Sequence, residues 1–96
     1  GWEVLARNWR CAEGEIDIVA LDGDCLVVVE VKTRRSHSFG VPQEAVTQVK
    51  LARLRRLAAA WLAAQTRRFS DVRIDVVAVT VASAGAAQVE HLRGVE

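Results

Sequence analysis

Four charged side chains in two short segments of this sequence could act together chemically. Glu15 and Asp17 lie in a Gly-Glu-Ile-Asp segment, and Glu30 and Lys32 lie in a Glu-Val-Lys segment. Two carboxylates can hold Mg²⁺ or Mn²⁺, which prefer oxygen ligands and keep several waters. A metal-bound water is a better nucleophile, and a nearby ammonium can offset phosphate charge in the transition state. These residue types therefore predict hydrolysis of a phosphodiester.

A Gly-Asp dipeptide at 23–24, between two strand-like runs, predicts a two-residue hairpin turn of type II′. With these two residues at the centre of the turn, Asp17 lies opposite Glu30 and Glu15 lies opposite Lys32 on one face. Opposed carboxylates repel, so a cation bound between them would explain the pair. The alternative is a set of cross-strand salt bridges on an exposed face. That alternative accounts for Glu15 and Lys32 but leaves Asp17 facing Glu30.

The elements that must position these residues follow from the hydrophobic pattern. Short β-branched runs predict strands, and a long segment dominated by alanine and leucine predicts a helix. Both faces of the third strand are apolar, which is typical of a central strand, and its charges come only at its C-terminal end. The predicted order is β-β-β-α-β-β, with strands over 2–9, 16–21, 25–33, 72–82 and 89–92 and a helix over 42–65.

The predicted fold is one α/β domain over residues 1–96. The hairpins favour antiparallel pairing at one side of the sheet, and the long helix predicts a crossover to a parallel neighbour. Pro42 suits the first position of this helix, and Glu44 suits its first turn, where the helix dipole favours an acid.

One lysine of the predicted helix lies on its core-facing stripe. Lys50 falls in the middle of this stripe, whereas Arg53, Arg55 and Arg56 point elsewhere. The Lys50 side chain either extends past the sheet to water or reaches the acidic residues or a phosphate. The acidic residues offer a partner, which favours the second interpretation. The apolar members of the stripe are Val46, Leu54, Leu57 and Trp61.

The net charge of +1 conceals a basic centre. Residues 32–68 contain nine lysines and arginines against one acid, and the rest of the chain is correspondingly acidic. A basic centre beside an acidic cluster suits a polyanion held next to a metal, whereas the alternative is a well-solvated helix surface. Charge alone does not separate the two. The candidate phosphate contacts are Arg34, Arg35, Arg53 and Arg56, with His37 as a weaker one.

Several classes of protein are disfavoured. Cys11 and Cys25 are too few for a disulfide scaffold and lack zinc-ligand spacing, so free thiols in a reducing cytoplasm are expected, with a bridge as the alternative. His37 and His91 have no metal-ligand or catalytic partner nearby in sequence and are interpreted as surface residues. No apolar stretch approaches the roughly 20 residues that span a bilayer. The chain starts at Gly1 and lacks methionine, so we expect its native N-terminus to lie upstream.

Several motifs of the chain, taken together, resemble the YraN family. These bacterial proteins are assigned to the PD-(D/E)xK nuclease superfamily and are related to archaeal Holliday-junction resolvases. The match covers almost the whole chain and extends far beyond a lone Glu-x-Lys. The matching segments are Gly14–Ala20, Val29–Arg34, Phe39-Gly40, Ala45-Val46, Lys50 and Arg73–Val77.

The resemblance implies a restriction-endonuclease-like mixed sheet and a role for each matching residue. Asp17 and Glu30 resemble the metal ligands of the superfamily, and Lys32 resembles its catalytic lysine. Lys50 matches a family lysine on the helix after the motif, where related nucleases carry a further polar active-site residue, so the resemblance implies a catalytic role for it. Glu15 also matches the motif, and on the predicted register it would hold Lys32 in place. Family members usually begin with a helix that carries a glutamate, whereas this chain opens on what resembles their first strand.

Three functions are therefore open at this point. The leading hypothesis is a Mg²⁺- or Mn²⁺-dependent endonuclease that acts on DNA, such as branched intermediates of repair or recombination. The second is a nucleic-acid-binding module that keeps the fold without a complete site, and the third is a protein-interaction domain with an incidental acidic cluster. Resolvase relatives act as dimers, which leaves a homodimer open for this chain.

Overall fold

The computed structural model of the chain describes residues 1–36, 47–82 and 87–95, with side chains at 1–33, 47–81 and 87–95. Within these ranges the chain forms five strands and one helix in the predicted order. The elements are β1 (Glu3–Cys11), β2 (Gly14–Asp22), β3 (Cys25–Ser36), α1 (Gln48–Ala63), β4 (Asp71–Ala82) and β5 (Ala87–Leu92).

The five strands form one open sheet with β3 at its centre, as the apolar faces of that strand predicted. The strand order is β1-β2-β3-β4-β5. All neighbours are antiparallel except β3 and β4, which are parallel, and α1 lies between these two in the chain. The predicted crossover is thus confirmed. This mixed α/β arrangement is compatible with a restriction-endonuclease-like fold.

The hairpin between β2 and β3 has the predicted register. Its ladder runs from the pair Asp22 and Cys25 at the turn to the pair Ile18 and Val29. Gly23 has a φ of 61°, and the aspartate after it is not among the described non-glycine residues with positive φ. That combination is what a type II′ turn requires. The two-residue turn therefore fixes which residues of β2 face those of β3.

The hydrophobic core lies between α1 and one face of the sheet. Leu54, Leu57 and Trp61 are buried as the helical stripe predicted, whereas Val46 lies outside the described residues. Leu57 also approaches Gly14 of β2, where a Cβ would lie 3.8 Å from Leu57 Cδ2. This packing fixes the helix over the sheet. The sheet residues of the core are Ile16, Val19, Leu26, Val28 and Ile74.

The helix begins later than the sequence predicted. Thr47 is its N-cap, with extended backbone angles (φ −100°, ψ 165°), and its Oγ1 accepts a hydrogen bond from the Lys50 N–H at 3.1 Å. A Thr side chain at this position satisfies a backbone donor that the helix leaves unpaired, and so it sets the start of α1 at Gln48. The predicted first turn with Pro42 and Glu44 lies outside the described residues. No helix in the described ranges is long and apolar enough to cross a membrane.

Replacing Thr47 by alanine should lower the free energy of unfolding by about 1 kcal/mol, because the Lys50 amide loses its acceptor. Urea denaturation followed by circular dichroism measures the change. Thr47→Ser keeps the hydroxyl and should retain most of the stability. Equal losses in the two variants would contradict this role of the cap.

Both cysteines are free thiols, as their number and spacing predicted. Burial is the largest of the causes that raise the pKa of the Cys25 thiol above its ordinary value of 9.0, followed by the negative charge of Asp71. A raised pKa keeps the thiol protonated, and the protonated form is the unreactive one. The structure therefore offers no reason to assign Cys25 a chemical role.

Candidate functional site

The strands β2 and β3 separate where the acidic residues begin. β2 stays paired with β1 down to Gly14, but its pairing with β3 ends at Ile18 and Val29. The Asp17 carboxylate lies at this opening, where its Oδ2 accepts a hydrogen bond from the Val31 N–H at 2.7 Å. The side chain thus takes the place of the next backbone bond of the ladder, and the opening between β2 and β3 starts at Asp17.

Glu30 is the buried acid of this opening. It directly precedes Val31, so the hydrogen bond from the Val31 N–H puts the Asp17 carboxylate beside the backbone next to Glu30. The predicted pair of Asp17 and Glu30 lies beyond the last pair of the ladder, which is Ile18 and Val29. Glu30 is only 8% exposed. Its Oε2 lies 3.5 Å from Lys32 Nζ, and its Oε1 lies 3.4 Å from Arg53 Nη2. Burying a carboxylate is costly unless it is paired, and the contacts with Lys32 and Arg53 offset that cost for Glu30.

The helix supplies Arg53 and one further cation, Lys50, near the same carboxylate. Lys50 and Arg53 are three residues apart on α1, so they share a face of the helix. The Lys32 ammonium is within hydrogen-bonding reach of Lys50 and lowers the pKa of Lys50 below its ordinary value of 10.5, and the charge of Glu30 opposes that effect. Lys50 therefore lies beside Lys32 and is influenced by the charge of Glu30, whereas its contact with a phosphate stays a prediction. We call Lys32, Lys50 and Arg53 the cationic cluster.

Two of the sequence-based expectations for this region are wrong. The helical pattern predicts that Arg53 points away from the core-facing stripe, but its guanidinium reaches inward to Glu30. Glu15 was expected to face Lys32, but it pairs with Arg10 of β1, whose Nε lies 3.8 Å from Glu15 Oε1. The physical reason is the same opening, because β2 has already left β3 before it reaches Glu15. A role for Glu15 in holding Lys32 is therefore excluded.

Of the remaining basic candidates, Arg56 is the one whose side chain the structure describes, and it contacts another acid. Arg56 pairs with Glu13 in the turn between β1 and β2, at 3.2 Å. Arg34 and Arg35 continue β3, where their backbones pair with β4, and their side chains lie outside the described set. His37 also lies outside the described residues.

The donors at the opening fit a divalent cation in type. Asp17 and Glu30 provide carboxylate oxygens, which Mg²⁺ binds while it keeps several waters. In the described ranges, no group of three or more acidic, histidine or cysteine side chains converges on a metal position. Both oxygens of Glu30 are paired with cations. A metal at this site would therefore compete with Lys32 and Arg53 for Glu30.

Comparison with known proteins identifies the family of this chain. The model of the uncharacterised protein family UPF0102 matches residues 1–79. The chain belongs to this family. It is 66% identical to a UPF0102 protein of Beutenbergia cavernae over 95 residues, which are 99% of this chain and 80% of that protein. It is 64% identical to one from Kineococcus radiotolerans over 96 residues (99% and 79%) and 60% identical to one from Arthrobacter sp. over 95 residues (99% and 80%). UPF0102 is the YraN-like family that the motifs indicated.

A second polar cluster in this UPF0102 chain was missed by the sequence analysis. Asp75 of β4 is fully buried, and its carboxylate accepts hydrogen bonds from Arg73 Nε at 3.1 Å and from the Gly94 N–H at 2.9 Å. His91 Nε2 lies 2.7 Å from the other oxygen. Ile74 packs towards α1, so the alternation of β4 puts Asp75 on the opposite face of the sheet. This second cluster is therefore separate from the opening between β2 and β3.

The second cluster joins distant parts of the UPF0102 chain. Arg73 Nη2 lies 3.1 Å from Asp22 Oδ2 of β2, and the Trp2 ring contacts both the Arg73 guanidinium and the His91 ring. Burial raises the pKa of Asp75, but hydrogen bonds from Gly94, His91 and Arg73 bring it below its ordinary value of 3.8. The Arg-x-Asp spacing at 73–75 was a signal for such a pair. His91 was interpreted as a residue without a partner, because its partner is distant in sequence.

Proposed function

We propose that this UPF0102 chain is a metal-dependent nuclease that hydrolyses phosphodiester bonds in DNA. The proposal rests on one arrangement at the opening between β2 and β3. Glu30 is buried there near Asp17, and Lys32 follows two residues later on β3 with its ammonium beside Glu30. The resemblance of this Asp, Glu and Lys set to the PD-(D/E)xK pattern supports the reaction class. Branched repair or recombination intermediates are the substrates that the resolvase relatives suggest.

Asp17 and Glu30 would hold the metal, and the cationic cluster would hold the nucleic acid. When bound, Mg²⁺ supplies a Lewis acid and an activated water. The Lys32 ammonium adjoins Glu30, so it is placed to offset charge that grows on the phosphoryl oxygens as the water oxygen bonds to phosphorus. Lys50 and Arg53 come from the helix and offer donors to the phosphates that flank the scissile one. As the bond from the water oxygen to phosphorus forms, the bond from phosphorus to the leaving oxygen would break, and that oxygen would take up the proton that the water loses.

One observation favours a second function. The cationic cluster has three cations, and Glu30 is already paired at both oxygens. A site in which cations exceed the available acids also suits a module that binds nucleic acid without cutting it. Such a module would keep its affinity when the acids are neutralised, and loss of the negative charge would even strengthen binding.

A cleavage assay separates these functions. The full-length protein is incubated with duplex, flap and four-way-junction DNA in Mg²⁺ or Mn²⁺, in parallel with Asp17→Asn and Glu30→Gln. We expect metal-dependent cuts that each substitution reduces by at least about a hundredfold, the size of effect that loss of a key electrostatic contact produces. Glu3→Gln, on the exposed edge of β1, is the matched control and should cleave like the wild type.

Two outcomes would contradict the nuclease proposal. If no substrate is cut by the full-length protein with either metal, the chain is not a nuclease of this class. If cuts occur but persist in Asp17→Asn and Glu30→Gln, they come from another site or a contaminant. Binding of DNA that survives both substitutions without any cleavage would support the binding module instead.

A further inference from the structure

We propose that Arg53 is an internal counter-ion of Glu30 that nucleic acid draws away, so that metal and nucleic acid bind this chain cooperatively. The inference rests on the proposed function, because it concerns the same site. It goes beyond that function by assigning Arg53 a regulatory role. The Arg53 guanidinium pairs with the Glu30 carboxylate until a phosphate of the nucleic acid replaces the carboxylate as the partner of Arg53.

The contact between Arg53 and Glu30 is suited to exchange. The Arg53 side chain is 44% exposed, whereas the Glu30 side chain is 10% exposed, so the guanidinium reaches from the surface to a buried oxygen. Its Nη2 lies 3.4 Å from Glu30 Oε1, a long hydrogen bond. The Nε of Arg53 is buried and has no hydrogen-bond partner among the described residues. An arginine with one long bond and one unsatisfied donor loses little when it moves to a phosphate, which can accept two bonds at once.

The three members of the cationic cluster differ in their freedom to move. Lys32 is on β3, two residues from Glu30, and remains beside it through the strand backbone. Lys50 lies beside Lys32, and within the described residues it forms no ion pair with Glu30 that it would have to give up. Arg53 reaches Glu30 only through its long side chain, and other rotamers point that side chain to solvent. Of the two cations paired with Glu30, Arg53 has the more exposed side chain, 44% against 30% for Lys32, so it is the one that turns to solvent more readily.

The charges around Glu30 indicate that metal and nucleic acid should each favour the binding of the other. Without nucleic acid, a divalent cation that approaches Glu30 meets the charges of Lys32, Lys50 and Arg53, and it must displace Lys32 or Arg53 from the carboxylate. Phosphates that bind the cationic cluster offset that repulsion and offer Arg53 another partner. Each ligand thus favours the other, and linkage requires that the two effects be equal in size. We expect metal affinity to be low in the free protein and to rise when DNA is bound.

Arg53→Gln tests this by metal binding, without a measurement of cleavage. Free Mn²⁺ is followed by electron paramagnetic resonance as it is titrated into the full-length protein, with and without a short phosphorothioate-linked DNA duplex that resists hydrolysis. Wild-type protein should bind Mn²⁺ about tenfold more tightly with the duplex, within the usual range for coupled sites. Arg53→Gln should bind Mn²⁺ about tenfold more tightly than wild type without DNA, and the duplex should add little.

Three further variants make the result specific. Arg56→Gln removes an arginine of the same helix that pairs with Glu13, and its Mn²⁺ affinity without DNA should equal that of the wild type. Arg53→Lys keeps the positive charge and should keep the low Mn²⁺ affinity. Glu30→Gln gives the background of Mn²⁺ that binds to the duplex or elsewhere. Thermal unfolding of each variant confirms that it is folded.

The outcomes separate this inference from the proposed function. If Mn²⁺ binds through Glu30 but Arg53→Gln changes neither its affinity nor the effect of the duplex, the counter-ion role of Arg53 is overturned and the metal site stands. If Arg56→Gln tightens Mn²⁺ binding as much as Arg53→Gln does, the cause is the general loss of one positive charge, and the inference also fails. If Mn²⁺ binding is the same in wild type and Glu30→Gln, both the inference and the metal-dependent function are overturned.

Discussion

Lys32→Met should lower the single-turnover rate of DNA cleavage by about 10²–10³-fold and change DNA affinity much less. The Lys32 ammonium lies 3.5 Å from Glu30 Oε2, next to the residues that would hold the metal, so under the proposed function its charge would act on the reacting phosphate. A group that acts in the transition state changes the rate constant, and one that only binds the substrate changes affinity. Rapid mixing with excess enzyme gives the rate, and fluorescence anisotropy gives the affinity.

Lys50→Met is the matched comparison, because Lys32 and Lys50 are the two lysines of the chain. Lys50 belongs to the helix and is assigned to flanking phosphates. Its loss should weaken DNA binding and reduce the dependence of log affinity on log salt by about one unit. The opposite pattern, with affinity lost in Lys32→Met and rate lost in Lys50→Met, would exchange the roles of the two residues. A loss of affinity alone in both variants would make them only phosphate contacts.

The part of the site that sequence predicted best is the hairpin of β2 and β3. A Gly-Asp turn and the alternation of the flanking residues are both local properties, and together they fix the register. The ladder from Asp22 and Cys25 to Ile18 and Val29 has that register. Asp17 and the buried Glu30 come to the same opening as a result.

Local sequence patterns do not predict the opening between β2 and β3. Ile16 and Val19 both belong to the core under α1, although strict alternation would place them on opposite faces. On the neighbouring strand, Asn8 has a φ of 51°, in the left-handed region that a non-glycine residue seldom adopts. The irregularity thus affects β1 and β2 together, at the level of Asp17. Strict alternation extends the register of β2 and β3 past this point, so it predicts Lys32 as the partner of Glu15 instead of Arg10.

Contacts between the helix and the sheet were also missed, for a different reason. A helical wheel gives the direction of each side chain about the axis, but not which sheet residue lies within its reach. The helix begins at Gln48, and its position over β2 and β3 is fixed by Leu54 and Leu57 in the core. Only this docking brings the long side chain of Arg53 to Glu30, at the edge of the core.

Asp75→Asn should lower the free energy of unfolding by about 3 kcal/mol at neutral pH, because Arg73 and His91 lose a charged partner that is fully buried. For a domain of this size the melting temperature should fall by more than about 10 °C. Asp24→Asn, an exposed aspartate at the turn, is the matched control and should change the melting temperature little. Equal melting temperatures for wild type and Asp75→Asn would show that the charge of Asp75 does not stabilise the fold.

The effect of Asp75 should depend on pH with a definite sign. Its pKa in the folded chain is lowered, so the unfolded chain binds the proton more tightly. The stability that Asp75 contributes is therefore complete above the ordinary pKa of 3.8 and is lost as the pH falls through the lower folded value. The difference in unfolding free energy between wild type and Asp75→Asn should be constant near neutral pH and shrink below about pH 4. Urea denaturation across this range measures it, and a difference that grows towards acid pH would mean that the folded carboxyl has a raised pKa and is buried as the neutral acid.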